Sequence, residues 1–367
     1  MIKDEFIAAL RLQCVPSVGD ILAKKLIAHC GSPAAVFSEK SEHLLKIAGI
    51  GSRIVAGLKD VSHLRAAERE YSFVEEHQIT YSYFEEESYP KYLRYCADGP
   101  LLLFQRGHID LRDRKVISIV GTRNMTASGK RFCEQFLEEL VPLNPVIVSG
   151  FAYGVDICVH RTAVDLQLQT VACLAHGLNQ IYPRSHKKYC GSVERNGGFF
   201  TEFWSTSNPE RENFLRRNRI IAGMSEATIV IESAEKGGSL VTADIANSYD
   251  RDVFAVPGRP NDRYSQGTNA LIKTQKAHLL TSAADLIYYL NWDLREREVK
   301  PIQKELFVEL NDTEHSIYAV LQKSGKQLLD DIAMNCQLPV FKTSSTLLAM
   351  ELKGLVRPLP GKCFEAI

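Results

Sequence analysis

The strongest constraint on this chain is an alternation that runs from about residue 110 to 290. Near-continuous apolar runs rich in β-branched residues give way, often at glycine, to stretches with helical spacing. Val116–Val120 precedes a helical stretch from about Ala127 to Leu140. Val146–Val148 leads through Ser149-Gly150 into a helix ending near Gln167, and Thr170–Leu174 follows. Thr228–Ile231, a helix through Leu240–Ala246, and Val253–Val256 continue the series. Strands apolar on both faces must be covered on both faces, so the alternation predicts an α/β fold with a doubly wound, mostly parallel sheet. In such sheets ligands lie beyond the carboxyl ends of the strands.

At 367 residues the chain exceeds one small core, and two or three domains are expected. Lys+Arg and Asp+Glu both number 44, so a nucleic-acid partner must be met by local clusters rather than bulk charge. The nine cysteines include no C-x-x-C pair, which suits isolated thiols in a reducing compartment. The start of the chain lacks a basic stretch followed by an apolar run, and no uncharged segment is long enough to span a bilayer. A cytoplasmic protein without a membrane partner is the expectation.

Four segments are expected: 1–70 helical, 71–290 the α/β core, 291–311 a charge-rich linker, and 312–367. In the first, Val15–Gly19 and Ile47–Gly51 each place a glycine turn before a helix, resembling helix-hairpin-helix units that grip a nucleic-acid backbone without reading sequence. Residues 71–110 read as a lead-in packed on the sheet's edge. In the last, Thr313-Glu314 is expected to cap the first of three short helices, and Leu355–Phe364 to form a hairpin. That is a winged-helix-like pattern. With Asp330, Asp331 and Glu351 among its charges, protein contact or a vestigial role is favoured over groove reading.

Several glycine and arginine features fall at the carboxyl ends of the expected strands. They are Gly121-Thr122-Arg123, Ser149-Gly150 with Gly154, the basic turn at Arg184, the Arg211–Arg219 stretch with Phe214 and Arg216, and Gly238-Ser239. Glycine lets backbone N–H groups approach an anion, a helix N-terminus adds partial positive charge, and guanidinium binds phosphate bidentately. No Lys-Ser/Thr pair follows the glycines, and no G-x-G-x-x-G spacing occurs. A zinc-type cluster, a Ser-His-Asp set and a carboxylate pair in a glycine loop are also missing. The chain therefore reads as holding phosphate rather than cleaving it, with no catalytic residue, metal or cofactor. Arg217 is expected on a solvated helix face, Asp156 and His160 as helix-stabilising, Asn218 as a loop tie, and Phe203 and Trp204 as core.

Taken together, Val120–Arg123, Ser149–Asp156, His160, Gly177–Pro183, Asn213–Gly223, Gly238–Ala243, Val256–Gly258 and Gly267–Asn269 resemble the DNA processing protein A family (DprA/Smf), in unbroken order over roughly residues 89–290. The resemblance implies an extended Rossmann-like domain that binds single-stranded DNA, dimerises, and loads the RecA recombinase during natural transformation. It further implies that Arg123 and the Ser149-Gly150 turn grip phosphates. Arg184, Arg211, Phe214 and Arg219 would line the same basic pocket, with Phe214 free to stack. Leu215, Gly237 and Ser128 depart from the common pattern and bear on local loop shape. The competing reading is a nucleotide-processing enzyme of the LOG phosphoribohydrolase type, whose glycine turn Gly237–Thr242 vaguely resembles. That chemistry wants a glutamate after the turn, where Ala243-Asp244 stands.

Overall fold

A computed structural model describes residues 1–292, 310–353, 355–359 and 363–366. These fall into two compact units, one on either side of the undescribed stretch. The expected linker, 291–311, lies mostly outside the described residues.

The larger unit is built on one nine-stranded sheet: β1 Thr80–Tyr83, β2 Leu102–Gly107, β3 Val116–Val120, β4 Val146–Ser149, β5 Thr170–Cys173, β6 Gly197–Thr201, β7 Ala227–Val230, β8 Asp252–Ala255 and β9 His278–Leu279. The spatial order is β1-β2-β6-β5-β4-β3-β7-β8-β9. From β6 to β9 every pair is parallel, while β1 and β2 add an antiparallel margin. This is the expected doubly wound, Rossmann-like sheet. Strand β3 continues to β4 on one side and pairs with β7 on the other, so the winding reverses between β3 and β7. A crevice opens at that reversal because the connections leave in opposite directions.

Six helices precede the sheet: α1 Lys3–Cys14, α2 Asp20–Cys30, α3 Pro33–Ser38, α4 Ser41–Leu44, α5 Ser52–Leu58 and α6 Val61–Glu76. Their apolar faces, including Phe6, Leu10 and Leu26, share a continuous core with Leu102, Phe104 and Phe199 of the sheet margin. A short α7, Lys91–Arg94, lies between β1 and β2. Helices α8 Ala127–Leu140 and α9 Val155–Asp165 cover one face of the sheet. After α10 Cys190–Arg195, helices α11 Arg211–Met224 and α12 Gly238–Ser248 cover the other. Helices α13 Gln266–Lys273 and α14 Ala283–Tyr289 complete the unit.

In the smaller unit, α15 Asp312–Ser324, α16 Leu329–Asn335 and α17 Val340–Leu352 pack with a three-stranded sheet of β10 Gln327–Leu328, β11 Val356–Leu359 and β12 Cys363–Ala366. Ile317, Leu321, Ile332, Leu347, Met350 and Val356 form its core. This is a winged helix, as expected. Its first helix is capped by Asn311 rather than Thr313: Asn311 Oδ1 accepts from the Glu314 N–H at 2.9 Å, and Glu314 Oε2 accepts from the Asn311 N–H at 3.0 Å. The reciprocal pairing satisfies two N–H groups that a helix start leaves open. Among the described residues no helix is long and apolar enough to cross a membrane.

Candidate nucleic-acid interface

At the β3–β7 reversal lies an open cleft of about 790 Å³. Its floor follows from the strands that end there. Strand β3 runs into Gly121-Thr122-Arg123, and a side chain at Gly121 would sit 2.4 Å from Val155 and 3.0 Å from the Glu232 carbonyl. Only glycine lets the loop pass this close to both the helix and the neighbouring strand. The loop is then fixed from the β7 side. Thr122 N donates to the Glu232 carbonyl at 2.7 Å, and Thr126 N donates to the Glu232 carboxylate at 2.9 Å. Glu232, just past β7, was not singled out from sequence, and it holds the loop that presents Arg123.

Arg123 is exposed on the cleft wall with its guanidinium carbon 5.5 Å from the centre of the Phe214 ring. Phe214 in turn meets Tyr182 edge-on at 5.6 Å. Arg211 stands on the first turn of α11, while Gly237-Gly238 and Ser239 open α12 opposite. Lys236, Arg263 and Tyr264 complete the far wall. Sequence reasoning missed Arg263 and Tyr264 because the segment between β8 and α13 has no periodicity to place it.

Of the site residues expected from sequence, Gly121, Arg123, Arg211, Phe214, Gly238 and Ser239 meet in this cleft. The others stand elsewhere. Ser149 is fully buried and its hydroxyl donates to the Ile119 carbonyl at 2.6 Å, so it ties β4 to β3. Gly150 offers its carbonyl to Arg217. Gly154, at φ 76°, packs against the Thr122 and Arg123 backbone from behind. Arg184 is exposed at the start of a 3-10 turn that does not line the cleft. Arg216 and Arg219 point away, towards α2. Arg216 pairs with Glu202 at 2.6 Å, and Arg219 pairs with Asp20 at 3.1 Å and with Glu202. The reason is helical geometry: positions 216 and 219 share a face roughly opposite the cleft-facing positions 211, 214 and 218.

Arg217 corrects the expectation of a solvated side chain, being only 4% exposed. Its Nη1 donates to the carbonyls of Gly150, at 2.7 Å, and Cys173. These mark the ends of β4 and β5, where carbonyl oxygens converge and favour a cation. Asp156 lies beside it, accepting from the Ala152 N–H at 3.2 Å. Burial pushes the Asp156 carboxyl up from its ordinary range, and Arg217 opposes that push. His160 is buried, bonds Thr170 Oγ1 at 2.7 Å, and is driven down to about 3 by burial. Phe203 is buried and the Trp204 indole N–H donates to Gln13 at 2.7 Å, so both serve packing, as expected. Asn218 lines the cleft and its side-chain oxygen accepts from Arg217 Nε at 3.4 Å.

The first glycine turn of the helical segment lies beside the Arg216 and Arg219 end of α11, with Gly19 itself exposed. Asp20 at the start of α2 accepts from Leu101 N at 3.0 Å, and Val18 and Gly19 line a cavity with Arg216 and Arg219. The second turn, at Gly49 and Gly51, lies on the surface. Among the described residues no cluster of His, Cys, Asp or Glu side chains is arranged to hold a metal.

Two family models match the chain: DNA recombination-mediator protein A over residues 80–291, and the DprA winged helix domain over 308–362. Protein Smf of Synechocystis is 28% identical over 387 aligned residues, which cover 96% of each chain. The X-ray structure of DNA processing protein A from Streptococcus pneumoniae superposes with a TM-score of 0.65 at 28% identity, over 78% of this chain and 98% of that one. DNA processing protein A from Helicobacter pylori, whose structure is described as giving insight into a unique single-stranded DNA binding mode, superposes with a TM-score of 0.52 at 30% identity, over 58% of this chain and 96% of that one. The chain belongs to the DNA recombination-mediator protein A family, the DprA/Smf proteins of DNA processing and recombination.

Proposed function

We propose that this protein binds single-stranded DNA without sequence preference in the β3–β7 cleft and delivers it to the RecA recombinase during recombination and natural transformation. One observation carries the reading. Arg123, Arg211, Lys236 and Arg263 line one cleft with Phe214, Tyr182 and Tyr264, and none of these four cations is held in a salt bridge among the described residues. Cations track a phosphate backbone and aromatic rings stack on any base, which gives affinity without sequence reading. The single carboxylate lining the cleft, Asp156, is engaged by Ala152 and Arg217, which suits retention of an intact strand. We place this function in 71–290, with 1–70 and 312–367 as flanking domains.

RecA delivery and a homodimer rest on family membership. The dimer is further supported by β9, the last strand of the sheet among the described residues, where Leu279, Tyr288 and Tyr289 are exposed. A protein contact for the winged helix is supported by exposed Val340, Phe341 and Leu348 on α17.

The test is anisotropy of an oligo(dT) length series at two salt concentrations. For about three to four neutralised phosphates, log affinity should fall with log salt at a slope of roughly −2 to −3 and rise with length up to the site size. A length-independent affinity with a shallow slope, or base release from nucleoside monophosphates, would overturn the reading in favour of a nucleotide enzyme. For the RecA step, the protein should speed RecA assembly on DNA already coated by single-strand-binding protein.

A further inference from the structure

Strands β5, β4, β3 and β7 are parallel neighbours, so the loops leaving their carboxyl ends share one rim. The cleft is walled mainly from β3, β7 and α11, and the loops after β4 and β5 reach it only through Ala152 and Tyr182. Just past those two residues the rim stays basic and aromatic. Tyr153 is exposed, and its hydroxyl meets Ser185 Oγ at 3.1 Å. Arg184, Lys187 and Lys188 stand exposed on the 3-10 turn that follows Tyr182-Pro183. The buried His186 ring joins two tyrosines, its centre 4.9 Å from that of Tyr153 and 5.9 Å from that of Tyr189. Over Tyr189 lie Lys188 Nζ, 5.0 Å from the ring centre, and the guanidinium carbon of Arg161 from α9, at 5.5 Å.

We propose that a bound single strand does not end in the cleft but leaves it past Tyr182 and crosses this shelf, where Arg161, Lys187 and Lys188 meet its phosphates and Tyr153 stacks on a base. The proposal rests on the reading of the cleft as a single-strand site and extends it to a second surface. Arg184, expected in the cleft, belongs to this shelf instead.

Charge and continuity both support the path. None of Arg161, Arg184, Lys187 and Lys188 is held in a salt bridge among the described residues. The acids on the same elements are engaged or displaced. Asp156 is buried beside Arg217, Glu194 is held by Arg106 at 2.6 Å, and Asp165 stands at the far end of α9. Glu134, which shares a surface cavity with Arg161, pairs with Lys130 at 3.6 Å. Cations left without partners on one shelf repel each other and attract a polyanion. A phosphate backbone neutralises several at once and releases its own counterions. Tyr153 presents a ring fixed at its hydroxyl end, which suits stacking on any base. Because Phe214 touches Tyr182 at 5.6 Å, the aromatic row begins inside the cleft and continues outside it.

The test compares two variants of the full chain, Arg161→Gln/Lys187→Gln/Lys188→Gln and Arg123→Ala, by anisotropy on oligo(dT) of about 4 and about 20 nucleotides. All the replaced side chains are exposed, so both variants should melt with the wild type. The triple variant should bind the short strand as the wild type does and the long one at least about tenfold more weakly, with its salt slope on the long strand smaller by roughly 2. Arg123→Ala should weaken both lengths. Should the triple variant fold poorly, Lys188→Glu alone must show the same contrast between lengths. Wild-type affinity of the triple variant for the long strand would overturn the path. If Arg123→Ala then still weakens both lengths, the cleft stands without the shelf; if neither variant has an effect, cleft and shelf fall together. Equal losses on both lengths in the triple variant would also overturn the path, since the shelf would then act only as a distant field.

Discussion

Arg217 Nη1 reaches the Gly150 carbonyl at 2.7 Å, placing a buried cation across the ends of β4 and β5. Replacing it with methionine leaves two carbonyls without their donor and Asp156 without its main cation. Arg217→Met should therefore lose about 3–5 kcal/mol of stability in urea unfolding. Arg217→Lys should fall between, because an ammonium cannot span the same acceptors as a fork. A loss well under 1 kcal/mol for the methionine variant would show that this contact does not hold the loop.

Arg123 is exposed, so Arg123→Ala should leave the melting temperature unchanged. Oligo(dT) affinity should drop about tenfold or more, and the salt slope should shrink by roughly 0.7 to 1 as one phosphate contact is lost. Normal binding by this variant would remove the cleft from consideration.

Phe214 makes a contrasting prediction. Phe214→Ala should cost about 1–3 kcal/mol of oligo(dT) affinity through lost stacking. Its salt slope should match the wild type, since no charge is removed. A changed slope would mean that Phe214 acts by positioning Arg123, which lies over its ring.

Two glycines separate fold from function. A side chain at Gly154 would meet the Thr122 carbonyl at 2.2 Å with φ at 76°, so Gly154→Ala should destabilise the fold by about 1–3 kcal/mol. A side chain at Gly238 meets nothing within 4 Å. Gly238→Ala should melt at or slightly above the wild-type temperature, yet bind oligo(dT) more weakly if a phosphate sits on the start of α12. Thermal melts and anisotropy on both variants check the pair.

His160 should make stability depend on acid. Burial holds its folded pKa near 3, below the ordinary 6.5, so between those values the unfolded chain binds a proton that the folded chain refuses. Stability therefore rises with pH across that window and is lost as pH falls from 6.5, by up to about 1.4 kcal/mol per unit. The raised carboxyls of Asp156 and Glu202 act with the opposite sign, and both remain in His160→Gln. The difference between the wild-type and variant curves should accordingly widen as the pH rises from about 4 to 6.5 and stay flat above.

Of the parallel strands, β3, β4, β5, β7 and β8 were legible as short apolar runs, the two-residue β9 being too short to show one, and α8 runs from Ala127 to Leu140 as its spacing predicts. Strand β6 was not, since Gly197-Gly198 reads as a turn. In the structure those glycines let two neighbouring strands close in: a side chain at Gly197 would meet the Thr170 carbonyl at 2.1 Å, and one at Gly198 the Arg106 carbonyl at 2.2 Å. Six of the residues expected from the rule that strand ends hold ligands line one cleft in the structure. The arginines of α11 were not separable from sequence. What sorts Arg211 from Arg217 and Arg219 is the partner each faces, and for Arg219 one of these, Asp20, comes from a distant part of the chain.

Because acids near and far in sequence neutralise Arg216 and Arg219 while Arg211 and Arg123 stay open, the molecule separates charge in space without any surplus overall. An isoelectric measurement or a cation-exchange column would file such a protein among those indifferent to polyanions. Surveys that seek nucleic-acid binders by whole-chain charge will pass over proteins that carry their attraction as a field gradient across a single helix.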